Sequence, residues 1–351
     1  MRTYFIDNPL QHQTVFSKHE TERVNRALLE ELSVKMNIDK KLLLSKKTVQ
    51  EIIDPFNEIM NKAYNPINPE FIQTYHEIIR LRKNYFSEAS IMVPVHGGSF
   101  KMGGTNEKIR RNQNETPVHS VTLDYDFYIG QYPITEYAYL LFRKDTEGFF
   151  PYEKGWKSRL CSRAAVDISF TDAVHLCNWL NKKTGLPKAY DPSGHLLDTE
   201  GHRTKDIKRV AGYRLPTEAE WEYTARAGHK MNLDLAFAGH KDPKKVAWYR
   251  GVAQGRVHEV GQKSPNLLDI YDMSGNVAEW CQDDLCDYTN EAVVNPISRI
   301  HTSFKVVRGG SWFFPPEYCS VSSRFSAYDS RYNFIGLRLC RTASESVKQD
   351  Q

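Results

Sequence analysis

Residues 212–228 read GYRLPTEAEWEYTARAG, a stretch that predicts one short, well-capped helix. The hydroxyl of Thr217 can cap this helix while Glu220, three positions later, bonds back to the amide of the cap residue. Gly228 supplies a stop at the other end. Arg214 lies just before the helix, where its guanidinium can pair with Glu220. We therefore expect this stretch to be structural.

Five further stretches flank it, in a region rich in Gly, Trp, Tyr and short polar turns. They are VPVHGGSFKMG (93–103), DFYIGQYPIT (126–135), NLLDIYDMSGNVAEW (266–280), VRGGSW (307–312) and IGLR (335–338). In this order, together with 212–228, they resemble the sulfatase-modifying factor family, whose best-known member is the formylglycine-generating enzyme. The resemblance covers residues 92–342 and implies an α+β, C-type-lectin-like fold with little regular secondary structure.

The N-terminal region lies outside this resemblance, and we expect it to be helical. Residues 20–88 contain no glycine, and apolar side chains recur at helical spacing, as at Val24, Leu28 and Leu32. Such helices either cap the second domain or serve self-association or a partner. The predicted parts are a helical region (1–90), a formylglycine-generating-enzyme-like domain (91–345) and a disordered tail (346–351).

The composition excludes several classes of protein. The chain has 351 residues, of which 40% are hydrophobic and 12% aromatic, with a net charge of +4. These values are typical of a folded domain and argue against intrinsic disorder. No apolar run reaches about 18 residues, so we expect no membrane helix. Six cysteines are too few for a disulfide scaffold, which favours a cytoplasmic location. The mild positive charge gives no argument for a nucleic acid partner.

The turn YDMSGNVAEW (271–280) is a candidate calcium site, and the resemblance implies calcium there. Gly275 permits a left-handed backbone, and Asn276 and Glu279 offer hard oxygen ligands, with the carbonyl of Val277 between them. The alternative is an Asx turn in which Glu279 makes a local hydrogen bond. A second ion would have two further candidate ligands, Asp269 and Asp272.

The resemblance also implies a catalytic copper site of two cysteines five positions apart, because soft thiolates suit Cu(I). Cys319 matches the second cysteine, whereas Phe314 stands at the first, and a phenyl ring cannot ligate a metal. Rescue by Cys286 or Cys340 would need a different geometry, so we expect no copper. We expect no iron either, because the chain lacks the His-x3-His-x-Glu pattern of ergothioneine-type sulfoxide synthases, a second enzymatic branch of the family.

Residues 313–334, called the aromatic window below, have the composition of a binding surface. Seven of these 22 residues are aromatic and five are serine, as in antibody paratopes. The window also resembles the variable stretch of lectin-fold proteins that retroelements diversify. The residues predicted to bind a ligand are Phe313, Phe314, Tyr318, Ser320, Ser323, Phe325, Ser326, Tyr328, Ser330, Tyr332 and Phe334.

A competing interpretation is that the aromatic side chains of the window simply pack the domain core. Burial decides between the two, because a binding surface must expose several of the five strongest candidates. Those five are Phe313, Tyr318, Phe325, Tyr328 and Tyr332. We assign Arg324 and Arg331 to the frame of the window, as donors to backbone carbonyls.

These observations favour a non-catalytic module that binds a protein or another macromolecule through residues 313–334. One form of this hypothesis is a variable protein of a diversity-generating retroelement. The alternative is a metal-dependent oxidative enzyme of the sulfatase-modifying factor superfamily. A third hypothesis is a scaffold subunit in which residues 1–90 recruit a partner. We assign no catalytic residue.

Overall fold

The computed structural model describes residues 92–104, 113–148, 163–231, 234–298 and 303–343. Contacts divide the chain into two units, Met1–Ala89 with Gly148–Leu160, and Ser90–Glu147 with Cys161–Gln351. The second unit is described below. The predicted helical region 1–90 and tail 346–351 lie outside the described residues. No helix of the described part is long and apolar enough to cross a membrane.

Short strands and a few helices make up the described part of the chain. Its strands are β1 (Met92–Val95), β2 (Gly98–Met102), β3 (His119–Leu123), β4 (Phe127–Gly130), β5 (Ala247–Trp248), β6 (Ser274–Gly275), β7 (Ala278–Asp284), β8 (Val293–Val294), β9 (Phe304–Arg308), β10 (Arg324–Tyr328), β11 (Ile335–Gly336) and β12 (Cys340–Thr342). Its α-helices are α1 (Glu136–Glu147), α2 (Phe170–Thr184), α3 (Glu218–Ala225) and α4 (Pro243–Val246).

The strands form small sheets in which five of the eight neighbouring pairs are not consecutive along the chain. The largest has the order β10-β9-β7-β11, with β11 parallel to β7 and the other pairs antiparallel. In a second sheet, β4 lies between β1 and β12 and is antiparallel to both. The remaining sheets have the orders β2-β3-β8 and β5-β6. The aromatic window therefore begins just after β9 and includes β10, at one edge of the largest sheet.

Alternating apolar residues from Val121 to Ile129 would suit a single half-buried strand. The alternation is real, because the apolar side chains at its odd positions are all buried. The chain nevertheless divides here into β3 and β4, which belong to different sheets. The cause is a polar turn: the amide of Asp124 donates to Asn295 Oδ1, and a carboxylate oxygen of Asp126 accepts from the amide of Gly97.

Helix α3 has the cap that its sequence predicts. The Thr217 hydroxyl accepts from the Glu220 amide, and the Glu220 carboxylate accepts from the Thr217 amide. The predicted pair is also present, since Arg214 donates to both carboxylate oxygens of Glu220 at 2.7 Å. The predicted end is wrong: α3 stops at Ala225, and Gly228 begins a separate 3-10 turn.

In the sequence, Thr171 predicts the start of helix α2, and Gly185 predicts its end. The predicted start is wrong, because Ser169 is the cap residue and forms a capping box with Asp172. The end at Gly185, in a left-handed conformation, agrees with the sequence. The Thr171 hydroxyl instead donates to Asp329, a residue of the aromatic window.

Buried ion pairs hold the irregular segments to the sheets. Arg338 donates to both carboxylate oxygens of Glu279, and both side chains are fully buried. Arg308 lies between Glu218 and Glu222 in the same way. Each guanidinium also donates to backbone carbonyls of loops, for example Arg338 to Gly130 and Tyr271. Side chains thus satisfy the carbonyls that a loop-rich fold leaves without sheet partners.

Candidate functional site

The aromatic window is accessible to solvent. Phe313 is 47% exposed and Tyr328 is 54% exposed. The other five aromatic side chains of the window are half-buried, and none belongs to the buried core. The interpretation of these rings as core is therefore wrong.

Most of these rings form one continuous cluster. Phe313 stacks on Phe334 at 5.7 Å between ring centroids, and Phe314 stacks on Phe325 at 5.3 Å. Phe314 also contacts Phe313, Phe334 and Tyr318, so it lies at the centre of the cluster. Because the rings support one another, they present a rigid apolar surface that loses little conformational freedom when a partner binds.

A second exposed pair lies at the far end of the β9–β10 hairpin. Tyr328 is paired with Phe304 across the strands, and their ring centroids are 4.2 Å apart. Phe304 is 37% exposed but precedes the window, so the sequence analysis missed it. Pairing β9 with β10 in this register places Phe304 opposite Tyr328, and that pairing would have identified it.

Two of the predicted ligand-binding serines are not on the surface. Ser320 and Ser323 are buried, so their assignment as ligand contacts is wrong. They follow the 3-10 turn Pro316–Cys319, where the chain folds inward and the amide of Ser323 donates to the carbonyl of Ser320. Ser326 is half-buried and Ser330 is exposed, so both remain candidates.

The two arginines of the window have different roles. Arg324 is buried and donates to the carbonyls of Asn114 and Cys286, as predicted for a frame residue. Its guanidinium also binds both carboxylate oxygens of Glu218, at 2.6 and 2.7 Å. Arg331 is half-exposed and pairs with the Asp172 carboxylate rather than with backbone carbonyls, which corrects its predicted contact.

Gly310 fixes the path of the chain into the window. Its φ of +64° is left-handed, and a Cβ built there would lie 2.5 Å from the carbonyl oxygen of Tyr318. The backbone beyond it is tied down as well, because Trp312 donates to the Asn276 carbonyl and Arg250 donates to the Phe314 carbonyl. The window thus has a fixed backbone that carries exposed side chains.

Comparison with known proteins identifies this scaffold. Residues 80–343 match the Sulfatase-modifying factor enzyme 1-like domain. The chain belongs to this family. Its fold is the C-type-lectin-like fold that the sequence predicted, with short helices and several small sheets.

Three similar proteins show the range of the family. "Chaperone protein LppX" of Paenibacillus barcinonensis is 30% identical over 271 residues, which cover 70% of this chain and 85% of that protein. The formylglycine-generating enzyme of Thermomonospora curvata is 28% identical over 293 residues, covering 73% of this chain and 90% of the enzyme. The structure of Treponema denticola variable protein 1 has a TM-score of 0.57 and 26% identity, covering 72% of this chain and 95% of that one.

In this sulfatase-modifying factor domain, Cys319 is isolated from the position of the missing cysteine. Its side chain is fully buried against an apolar cluster that includes Val246 and Tyr249, and burial raises the pKa of its thiol to about 12. Phe314 fills the other position with a ring packed on four aromatic neighbours. The residues present therefore do not fit a two-thiolate copper site, which requires ionised sulfur at both positions.

The predicted calcium ligands are engaged elsewhere. The amide group of Asn276 is bonded to the backbone of His258, accepting from its amide and donating to its carbonyl. Both oxygens of Glu279 accept from Arg338, and one also accepts from Trp221 Nε1 at 2.7 Å. The side chains of Asn276 and Glu279 are thus held by partners within the protein, and the calcium set of Asn276, Val277 and Glu279 stays a prediction.

Asp272 lies in the same turn, and only one of its carboxylate oxygens accepts a hydrogen bond. It is buried, and its Oδ1 accepts no hydrogen bond, while its other oxygen accepts from the amide of Gly261. Burial, followed by the nearby charge of Glu279, raises the pKa of Asp272 to about 6. A buried carboxylate oxygen without a donor is costly unless a proton or a cation compensates it. The sequence named Asp272 only as a candidate for a second ion.

Proposed function

We propose that this domain is a non-catalytic binding module whose ligand surface lies in the aromatic window. The observation that carries the proposal is the exposure of Phe313 and Tyr328 on a backbone that buried side chains hold in place. Exposed clustered aromatic side chains reduce solubility, and soluble domains seldom keep them without a binding role. The surface residues of the site are Phe313, Phe314, Tyr318, Phe325, Ser326, Tyr328, Ser330, Tyr332 and Phe334.

The partner is proposed to be a protein. The rings form a broad surface rather than an enclosed site, which suits a macromolecular epitope better than a small polar metabolite. Two comparisons support a binding role, because one relative is named as a chaperone protein and one structural neighbour as a variable protein. Diversification of this window by a retroelement is the more specific form of the proposal.

The oxidative alternative has less support. Phe314 removes one thiolate, and Cys319 is buried as a neutral thiol. Within the described ranges, no group of three or more His, Cys, Asp or Glu side chains is arranged to hold a metal. Catalysis of the formylglycine type would therefore need a metal site that these residues do not supply.

The test is to capture partners with two variants of the full chain. Phe313→Ser with Tyr328→Ser removes both exposed rings of the window. Leu267→Ser with Val294→Ser is the matched control, because those side chains are 51% and 61% exposed and lie outside the window. We expect cross-linked partners of the wild type to be retained by the control and lost by the window variant. Equal capture by both variants would show that the window is not the binding surface.

We extend the proposal in three secondary respects. Residues 1–90 are proposed as a second element for self-association or partner docking. A cytoplasmic location is proposed, supported by the fact that all five described cysteines are free thiols. A structural calcium ion is proposed in the turn 271–280, with the Oδ1 of Asp272, which accepts no hydrogen bond, as an added ligand.

A further inference from the structure

Next to the aromatic window lies a strongly basic stretch, residues 241–256, called the basic segment below. Its sequence, KDPKKVAWYRGVAQGR, carries five basic residues and one acid, a net charge equal to the +4 of the whole chain. The acid, Asp242, accepts a hydrogen bond from the backbone amide of Lys244, as the cap of α4. The basic and acidic residues of the rest of the chain are therefore equal in number.

The basic segment packs directly behind the window. The amide of Arg250 donates to the carbonyl of Phe314 at 2.8 Å. Val246 and Tyr249 pack in one apolar cluster with Cys319, which belongs to the window. The backbones of the segment and the window are therefore in direct contact at Arg250 and Phe314.

The basic side chains of the segment are available to a ligand. All five are exposed, and none forms an ion pair with any described residue. The five are Lys241, Lys244, Lys245, Arg250 and Arg256. By contrast, most other arginines in the described ranges form ion pairs, as Arg331 does with Asp172. Unpaired cations beside an exposed apolar surface indicate a partner that brings both acidic and apolar groups.

A nucleic acid fits this surface less well than a peptide. Phe313 stacks on Phe334 and Phe314 on Phe325, so the faces that bases would need for stacking are partly used within the protein. A peptide can place acidic residues on one side and apolar residues on the other.

We infer that the partner contributes an acidic peptide segment with interspersed apolar residues, whose carboxylates meet the basic segment while its apolar side chains lie on the aromatic window. This inference rests on the proposed function and adds the chemistry of the ligand. Charge complementarity chiefly sets the choice of partner and the association rate, while the rings supply the apolar contact area.

The experiment measures fluorescence polarisation of short labelled peptides with the full chain. One peptide alternates Glu with Leu, its counterpart alternates Lys with Leu, and a thymidine oligonucleotide is the third probe. We expect the Glu peptide to bind at least about tenfold more tightly than the Lys peptide, and its affinity to fall steeply between about 0.05 and 0.5 M salt. Preference for the Lys peptide or the oligonucleotide, or no binding of the Glu peptide at low salt, overturns the inference.

Variants separate this inference from the proposed function. Arg250→Glu with Arg256→Glu should weaken Glu-peptide binding at least about tenfold. Lys205→Glu with Lys230→Glu is the matched control, because both side chains are exposed, unpaired and outside the basic segment, and it should leave binding unchanged. If Phe313→Ser with Tyr328→Ser abolishes binding but the charge reversal does not, the window binds and the acidic preference is wrong. If only the charge reversal matters, the role of the window is wrong.

Discussion

Replacing Arg324 with Met should destabilise the domain far more than the same change at Arg331, seven positions later. Arg324 is buried and binds Glu218 through two hydrogen bonds, at 2.6 and 2.7 Å. It also donates to the carbonyls of Asn114 and Cys286. Its removal leaves Glu218 with two longer contacts, 3.3 Å from Arg308 and 3.4 Å from the Tyr288 hydroxyl. A buried charge that loses its partner costs about 3–5 kcal/mol.

Arg331 provides the comparison. Its side chain is 50% exposed, and its bonds to Asp172 lie in water-accessible surroundings. Exposed ion pairs contribute only about 0.2–1 kcal/mol, so Arg331→Met should lower the free energy of unfolding by no more than about 1 kcal/mol. The difference between the free energies of unfolding of the two variants measures how much more the buried frame residue contributes than the exposed one.

Urea unfolding followed by tryptophan fluorescence and far-UV circular dichroism measures both free energies. A third variant, Arg324→Met with Glu218→Gln, removes the carboxylate charge of Glu218 together with the guanidinium that binds it. It should recover part of the loss, because the uncompensated carboxylate causes most of it. A loss below about 1 kcal/mol for Arg324→Met alone, or no recovery in the double variant, would refute the assignment of Arg324 to the frame.

Three further predictions concern the site. Phe314→Cys should not create a tight Cu(I) site or turnover of a Cys-x-Pro-x-Arg peptide, because the Cys319 side chain is fully buried in an apolar cluster with Val246 and Tyr249. Competition with a chromophoric Cu(I) chelator checks this, and stoichiometric tight binding would contradict it. Burial, followed by the charge of Glu218, raises the pKa of Asp283 to about 7. Its contribution to stability is therefore fully present below its unfolded pKa of about 4 and is lost as pH rises from there to about 7, by on the order of 4 kcal/mol at most. Urea unfolding of wild type and Asp283→Asn from about pH 5 to pH 8 should show a flatter profile in the variant, and parallel profiles would be the contrary result. Excess EGTA should lower the Tm of the wild type but not of Asp272→Asn if a calcium ion uses that carboxylate, and an unchanged wild-type Tm removes calcium from the proposal.

Local sequence signals predicted the local features of this fold. The capping box of Thr217 and Glu220, and the pairing of Glu220 with Arg214, involve residues within six positions of one another. Such contacts depend on the geometry of a single turn, which residue type and spacing specify. Helix α1 was missed although a comparable signal existed, since the hydroxyl of Thr135 accepts from the amide of Ala138 at its start.

Features that depend on distant partners could not be predicted in this way. Asn276 has the residue type of a calcium ligand, yet its amide group binds the backbone of a residue 18 positions away. Arg324 meets Glu218 across 106 positions. Ser320 and Ser323 have the composition of a binding surface and lie inside because of the path of the turn before them. Composition located the window, but only the backbone path decides which of its side chains face outward.

The first and last strands of the domain, β1 and β12, lie on either side of β4 and are therefore close together. The chain enters at Met92, opposite Gly130, and leaves at Thr342, opposite Phe127. Met92 and Thr342 are two strands apart, at about 4.8 Å per strand, and their partners on β4 are three residues apart, at about 3.3 Å per residue. These two offsets place the points about 14 Å apart. A linker of about five residues spans that distance. One short linker could therefore join the first and last strands of the domain, which is the geometry that circular permutation requires, without disturbing either sheet neighbour of β4.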